Sequence, residues 1–409
     1  MTSRVWIVSE LYYPEETSTG RLLTLLAEGL ASRTEVRVLC SQPTYARLGL
    51  RGARLEMRKE VSIEGCRGTT FSKDRLILRA VNTITITLGM NWLALRRLRR
   101  GDRVLVVTNP PPLALFVLMA AQLRRARVAL LVHDVYPDAL VAAALVRKSA
   151  FVTRLASAAS RWLYRRVARI IVIGRDMRTL VATKLAGGAN RIVVIDNWAD
   201  LDEISPQPRR DNALLATHQL ESRFVVQYAG NMGRTHGLEA LVQAAELVSE
   251  SDPDVYFLFV GSGAKYVWLT EAVRSRSRST VTVLPTQPRA DLESVLNACD
   301  VAIISFIHGM SGVSVPSRMY NVMAAGKPIV AVADADSELA MVVREERIGW
   351  VVAPGDAVAI AAVIRDARNH PEEVAAMGRR TRVAAERRFG FTMALGKYAQ
   401  VLDGMMDPR

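Results

Sequence analysis

FVVQYAGNMGRTHGLEALVQAAELVSE, residues 224–250, decides the fold. Phe224 to Ala229 is a short apolar run of the kind a strand buried on both faces carries, and Leu238 to Glu250 has a helical pattern. Between them Gly230, Asn231, Met232, Gly233, Arg234, Thr235, His236 and Gly237 make a glycine-rich turn. A strand, a glycine turn and a helix form the repeating unit of a doubly wound parallel sheet. The rhythm extends downstream, where Val255 to Val260, Val281 to Leu284, Val301 to Ile304, Ile329 to Val332 and Gly349 to Val352 read as further strands. Upstream, Arg4 to Val8, Val36 to Leu39, Val104 to Val107, Val128 to Val132, Ile170 to Ile173 and Ile192 to Ile195 form a second set. A polar connector with prolines, Asp200 to Asn212, separates the two. The expected fold class is α/β, with two Rossmann-like domains facing each other. Their bounds are 1–196 and 213–388, joined by a linker at 197–212, and a C-terminal helix in 389–409 returns toward the first domain.

Composition excludes several classes. The chain has 409 residues, half of them hydrophobic, enough for about two domains with substantial cores. Cys40, Cys66 and Cys299 are scattered, with no disulfide framework and no zinc-ligand spacing, so a reducing cytosol is expected. The N-terminus lacks a signal-peptide core, and the longest apolar run, Leu113 to Leu123, falls short of the ~20 residues a membrane span needs. Charge is divided unevenly. Residues 1–196 carry 32 Lys and Arg against 14 Asp and Glu, a net +18, and residues 197–409 carry 22 against 26, a net −4. The basic residues cluster in Arg47 to Lys59, Lys73 to Arg79, Arg96 to Arg103, Arg124 to Arg127 and Arg161 to Arg169. Such a half suits an anionic lipid surface or a nucleic acid, or is a set of solvated helix faces. Nucleic acid is disfavoured, because no aromatic interleaving and no helix-turn-helix, RRM or zinc-finger pattern accompanies the charge.

The loops at the carboxyl ends of the strands carry the candidate chemistry. Thr17, Ser18, Thr19 and Gly20 open the first helix, where backbone N–H groups can hold anions or sugar hydroxyls and where the same residues serve equally as caps. In the second half Gly230 and Gly233 allow close backbone approach, the helix start favours negative charge, and Arg234 supplies a planar cation for a diphosphate. The densest cluster is Met310 to Pro328, where Pro316 suits a first helical turn and the N–H groups from Gly312 to Val315 can be aimed at a phosphate. Asp200 with Asp202, and Asp334 with Asp336, have no third ligand nearby and read as turn and cap residues. No metal site and no cofactor is expected.

Val-Pro-Ser-Arg, Tyr-Asn and Met-Ala-Ala-Gly-Lys-Pro within 315–328 resemble the retaining GT-B glycosyltransferases of family four. The bacterial O-antigen and capsule branch, including N-acetyl-fucosamine transferases, is most similar. Tyr12-Tyr13-Pro14-Glu15-Glu16, Thr108 to Pro112, His133 to Asp138, Ile195 to Asp200 and Val260 to Gly263 match in the same order. The resemblance implies that Arg234, with Gly230, Asn231 and Gly233, holds the donor diphosphate, and that Ser311, Gly312, Val313 and Ser314 hold it from the other side. Asn321 and Val313 stand where many members carry the two glutamates of an E-x7-E pair. His236 and Asn231 stand where Lys and Arg are usual, which shifts the cationic role to Arg234 and Arg318. His133 matches a histidine that faces the transferred sugar, with Asp134 and Asp138 on the acceptor side. As a residue it reads equally as an ordinary half-buried histidine.

The resemblance implies a nucleotide-sugar donor, a UDP-sugar, and a lipid-diphosphate-linked saccharide acceptor. Leu76 to Leu98, apolar with Trp92 and bounded by arginines, suits an interfacial helix or a buried one. The expected location is cytoplasmic, peripheral on the inner face of the membrane. With no carboxylate at 313 or 321, a same-face displacement is expected over a covalent intermediate. The alternatives are a sugar-nucleotide epimerase of the same architecture and a non-catalytic membrane- or nucleic-acid-binding protein.

Overall fold

The computed structural model describes residues 4–42, 55–69, 71, 76–185, 187–275 and 280–406. Residues 43–54 and 72–75, which carry much of two of the basic segments, lie outside the described residues. The chain forms two compact units, one of Met1–Val141, Val146–Asp196 and Ala394–Arg409, the other of Ala142–Leu145 and Asn197–Met393.

In the first unit the order is β1 (Val5–Ser9), α1 (Ser18–Ala31), β2 (Val36–Ser41), β3 (Leu55–Arg58), β4 (Val61–Cys66), α2 (Leu76–Arg97), β5 (Arg103–Val107) and α3 (Pro111–Leu123). It continues through β6 (Arg127–Val132), α4 (Asp138–Ala142), α5 (Phe151–Arg166), β7 (Arg169–Val172), α6 (Arg175–Lys184) and β8 (Ile192–Val194). The sheet runs β3-β4-β2-β1-β5-β6-β7-β8, parallel except for the antiparallel edge hairpin β3–β4. Every residue of β1 and β5 is buried, as expected where helices cover both faces and the strand reads as a continuous apolar run. Pro111 opens α3, where a missing N–H costs nothing.

The second unit comprises α7 (Ala213–Thr217), β9 (Phe224–Asn231), α8 (Leu238–Ser251), β10 (Val255–Ser262), α9 (Tyr266–Arg274), β11 (Val281–Leu284), α10 (Leu292–Asn297) and β12 (Val301–Ser305). It continues through α11 (Arg318–Ala324), β13 (Ile329–Val332), α12 (Glu338–Glu346), β14 (Gly349–Val352), α13 (Ala357–Asn369) and α14 (Pro371–Arg388). Its sheet is wholly parallel in the order β11-β10-β9-β12-β13-β14. One core contains Met319, Tyr320, Met323, Leu339 and Phe389, and a separate one contains Leu238, Leu241, Phe257, Ile360 and Ile364.

Residues 197–212 are not a linker. They pack into the second unit, where the Trp198 ring lies 5.3 Å from Phe391, the Ala199 N–H donates to Phe389 O at 2.7 Å, and Asn212 Nδ2 donates to Ser294 O at 2.7 Å. The second unit therefore spans Asn197–Met393 in place of 213–388. The last helix, α15 (Phe391–Asp403), begins in that unit, and from Ala394 the chain belongs to the first. There Arg103 Nη1 meets Asp403 at 2.7 Å and Arg127 Nη1 donates to Met405 O at 2.8 Å. Arg103 is thus a buried structural cation and not part of a basic surface. Among the described residues no helix is long and apolar enough to cross a membrane.

Candidate active site

In the second unit the strand order reverses between β9 and β12, so the loops leaving those strands flank the crevice where such a sheet takes its ligand. Gly230, near the end of β9, has φ +139°, and a Cβ there would sit 3.1 Å from Nη1 of Arg318. Gly261 pairs with it across the ladder, and a Cβ on Gly261 would fall 1.9 Å from the Gly230 carbonyl oxygen. The two glycines let β9, β10 and a guanidinium converge on one point.

That guanidinium starts α11. It lies 4.6 Å from the centroid of the Tyr228 ring, and Nη1 donates to Ala229 O at 3.4 Å. Arg234, in the turn itself, is exposed. Neither arginine has a carboxylate partner among the described residues. His236 is buried, with its ring centroid 5.3 Å from that of Phe306 and Nδ1 3.4 Å from Thr235 Oγ1. Burial first, and the nearby Arg318 charge second, push its imidazole pKa well below the usual value, so it is neutral at pH 7. Asn231 is exposed at the turn, and a Cβ on Gly233 would lie 3.0 Å from both Asn231 Nδ2 and His236 Nδ1. Asn321 falls three residues after Arg318 on α11, on the same side of the helix, and both are half-buried.

The loop after β12 departs from expectation. α11 begins at Arg318, so Pro316 precedes the helix and is not within its first turn. The Val313 side chain is buried and its N–H donates to Met310 O at 3.0 Å, which removes it as an anion donor. The Ser311 N–H is likewise committed, at 3.3 Å, to Oδ2 of Asp334. That oxygen also accepts from the N–H groups of Gly309 and Met310, while Oδ1 lies 3.0 Å from His308 Nδ1. Asp334 is therefore a loop-holding carboxylate. Gly312, at φ +72°, and the half-buried Ser314 complete the turn.

Sequence reasoning missed Ser305. It ends β12 wholly buried, and its hydroxyl has no hydrogen-bond partner among the described residues. A Cβ built on Gly237, the residue before α8, would lie 3.2 Å from that hydroxyl. Among the described residues no side chain caps α8, so its first N–H groups are left for another partner, and the buried Ser305 hydroxyl lies beside that helix start. The available signal was a serine ending a strand beside the reversal point.

In the first unit the order reverses between β1 and β5. Thr17 caps α1, accepting from the Gly20 N–H at 3.2 Å, so that hydroxyl and that N–H are spent on the helix start. Ser18 is the first helical residue. Thr19 Oγ1 lies 3.5 Å from Nδ1 of His133, which joins two expected site residues. Thr108 Oγ1 accepts from the His133 N–H at 3.2 Å and donates to Asp134 O at 3.2 Å, fixing the exit of β6. Burial pulls the His133 pKa down to about 4, so the imidazole is neutral at pH 7. Asp138 does not join them: its carboxylate is held by Lys184 Nζ at 2.7 Å. Among the described residues no group of three or more His, Cys, Asp or Glu is placed to hold a metal ion.

Residues 19–198 match the model of the glycosyl transferase 4-like domain, and residues 223–370 that of glycosyl transferases group 1. A probable glycosyltransferase of Pseudomonas aeruginosa, WbjE, is 35% identical over 296 residues, 72% of each chain. A putative colanic acid biosynthesis glycosyl transferase of Escherichia coli, WcaI, is 25% identical over 373 residues, 87% of this chain and 90% of the relative. Among solved structures, Anabaena HepE in complex with UDP-glucose has a TM-score of 0.73 at 16% identity, covering 98% of this chain and 100% of that one. WaaG, a glycosyltransferase involved in lipopolysaccharide biosynthesis, has a TM-score of 0.70 at 15% identity, with 98% and 100% covered. The two-sheet fold is that of the GT-B enzymes.

Proposed function

The chain belongs to the glycosyltransferases built from a 4-like and a group 1 domain, and from that premise we propose that it moves a sugar from UDP to a lipid-diphosphate-linked saccharide, with retention. A role as a glycosyltransferase in bacterial polysaccharide synthesis follows from its relatives. The finer reading rests on one observation: Arg234 and Arg318 flank the Gly230 turn without a carboxylate partner among the described residues, next to the uncapped start of α8. HepE, of similar fold, is seen with UDP and with UDP-glucose.

In this reading the leaving diphosphate gathers negative charge as the bond from the anomeric carbon to its oxygen breaks. The two guanidiniums and the α8 N–H groups stabilise that charge in place of a resident metal. Positions 313 and 321 hold Val and Asn, so no carboxylate there attacks the sugar. The acceptor oxygen instead bonds to the anomeric carbon on the face the phosphate leaves, giving its proton to a phosphate oxygen. His133, neutral and beside Thr19, is the sugar-facing group of the first unit in this reading. The acceptor assignment rests on the +18 charge of residues 1–196, which suits an enzyme peripheral to the cytoplasmic face of an anionic membrane.

Transfer from a panel of UDP-sugars to polyprenyl-diphosphate saccharides, after EDTA treatment, tests this. Turnover without added metal and a product with the donor's anomeric configuration by NMR are expected. Strict magnesium or manganese dependence, or inversion, contradicts the mechanism.

A further inference from the structure

α2, α3 and α5 carry the chain from β4 to β5, β5 to β6 and β6 to β7, always in one direction across the first sheet. Right-handed crossovers then place all three helices on the same face. α3 packs against both α2 and α5. The outer surface of this layer carries large apolar side chains. On α2, Ile84, Leu88 and Trp92 stand one turn apart and are 58%, 53% and 56% exposed. On α5, Phe151, Leu155 and Trp162 lie along one stripe and are 78%, 61% and 37% exposed. Leu123, at the end of α3, is also exposed.

The two outer helices share a local pattern. Arg96 lies 4.4 Å over the Trp92 ring and Arg166 lies 5.6 Å over the Trp162 ring, each four residues after its tryptophan. None of the three helices contains an Asp or Glu, and α5 adds Arg154, Arg161 and Arg165, all exposed. Other arginines of the unit are committed internally, Arg97 to Glu64 and Arg103 to Asp403. Part of the unit's uncommitted charge therefore lies beside the apolar stripes. A nucleic acid would match the arginines and leave Leu88, Phe151 and Leu155 against phosphates. An anionic bilayer interface matches both, taking the apolar side chains below the headgroups and the arginines among them.

We propose that this layer docks on an anionic membrane with α5 as a second inserting element beside α2. The inference rests on the lipid-linked acceptor reading, and extends it by naming the surface that brings the first unit to the lipid.

The test is flotation of the full chain with phosphatidylcholine vesicles and with mixed phosphatidylcholine–phosphatidylglycerol vesicles, at low and high salt. Wild type should float on the anionic vesicles, with a fraction that resists salt. Phe151→Ser/Leu155→Ser, and separately Leu88→Ser/Trp92→Ser, should each lower that salt-resistant partitioning about tenfold or more. Arg161→Glu/Arg165→Glu should lower low-salt binding to the salt-resistant level, and Val358→Ser on the second unit should change nothing. If the α2 variant loses binding while the α5 variant floats like wild type, the role of α5 is overturned and the membrane reading survives. If wild type floats on neither vesicle, both fall, and tight duplex DNA binding in its place would assign the face to nucleic acid. Should the serine variants misfold, quenching of Trp162 by brominated acyl chains, read in Trp92→Phe/Trp268→Phe/Trp350→Phe protein where only the buried Trp6 and Trp198 remain beside it, decides. Quenching supports insertion of α5 and its absence overturns it.

Discussion

Two histidines that the sequence places at the site, the half-buried His133 and the buried His236, are held neutral by desolvation, which leaves arginine as the cation of the proposed donor site. His236 sits beside Arg318, whose charge further disfavours a second cation. His133, with a pKa pulled to about 4, is an uncharged hydrogen-bonding group across the physiological range. Its folded pKa lies below that of an unstructured histidine, near 6.5, so the folded state binds fewer protons in between. Stability present above that window is lost as pH falls through it. His133→Gln should flatten the loss of stability between pH 6.5 and 4 in urea unfolding; an unchanged slope would show that the group is not buried as described. The arginines differ from each other too. Arg234 is singled out by the sequence because a helix start disfavours a cation unless an anion compensates. Arg318 reaches Gly230 only through the fold, and its contact at Ala229 is 89 residues away in sequence.

Strands were legible wherever both faces are buried. Ile329–Val332 coincides with its apolar run, because nothing polar interrupts a strand covered on both sides, while the half-buried edge strands Val281–Leu284 and Gly349–Val352 were legible from their β-branched and aromatic content. The hairpin β3–β4 was not legible. Its two-residue turn is Lys59-Glu60, at φ 43° and 65°, a left-handed pair that usually calls for Asn-Gly. Charged residues in a basic run instead read as solvated surface. Lys59→Asn/Glu60→Gly should raise stability by about 1 kcal/mol by relieving that backbone. A melting temperature that is unchanged or lower would contradict the turn geometry. Residues 197–212 misled for the complementary reason: prolines and charges suggest a connector, yet Trp198, Ala199 and Asn212 are anchored through residues distant in sequence. The loop after β12 shows the same limit, because a run of N–H groups looks free until Asp334 is found to accept several of them.

Across the whole chain, charge and chemistry are divided between the units. The first half carries the basic excess, and the exposed arginines of α5 lie beside apolar stripes. The second unit carries Arg234, Arg318, the buried Ser305 hydroxyl and the uncapped start of α8, all at the reversal point of its sheet. The central claim is that this second unit binds a nucleoside diphosphate through those guanidiniums. Calorimetric titration of the full chain with UDP tests it most directly, with Arg234→Ala and Arg318→Ala variants alongside. A charge-assisted contact contributes on the order of 1.5–3 kcal/mol, so each variant should bind roughly ten- to a hundredfold more weakly than wild type. Wild-type affinity retained in both folded variants, or no UDP binding by the wild type, would contradict the account.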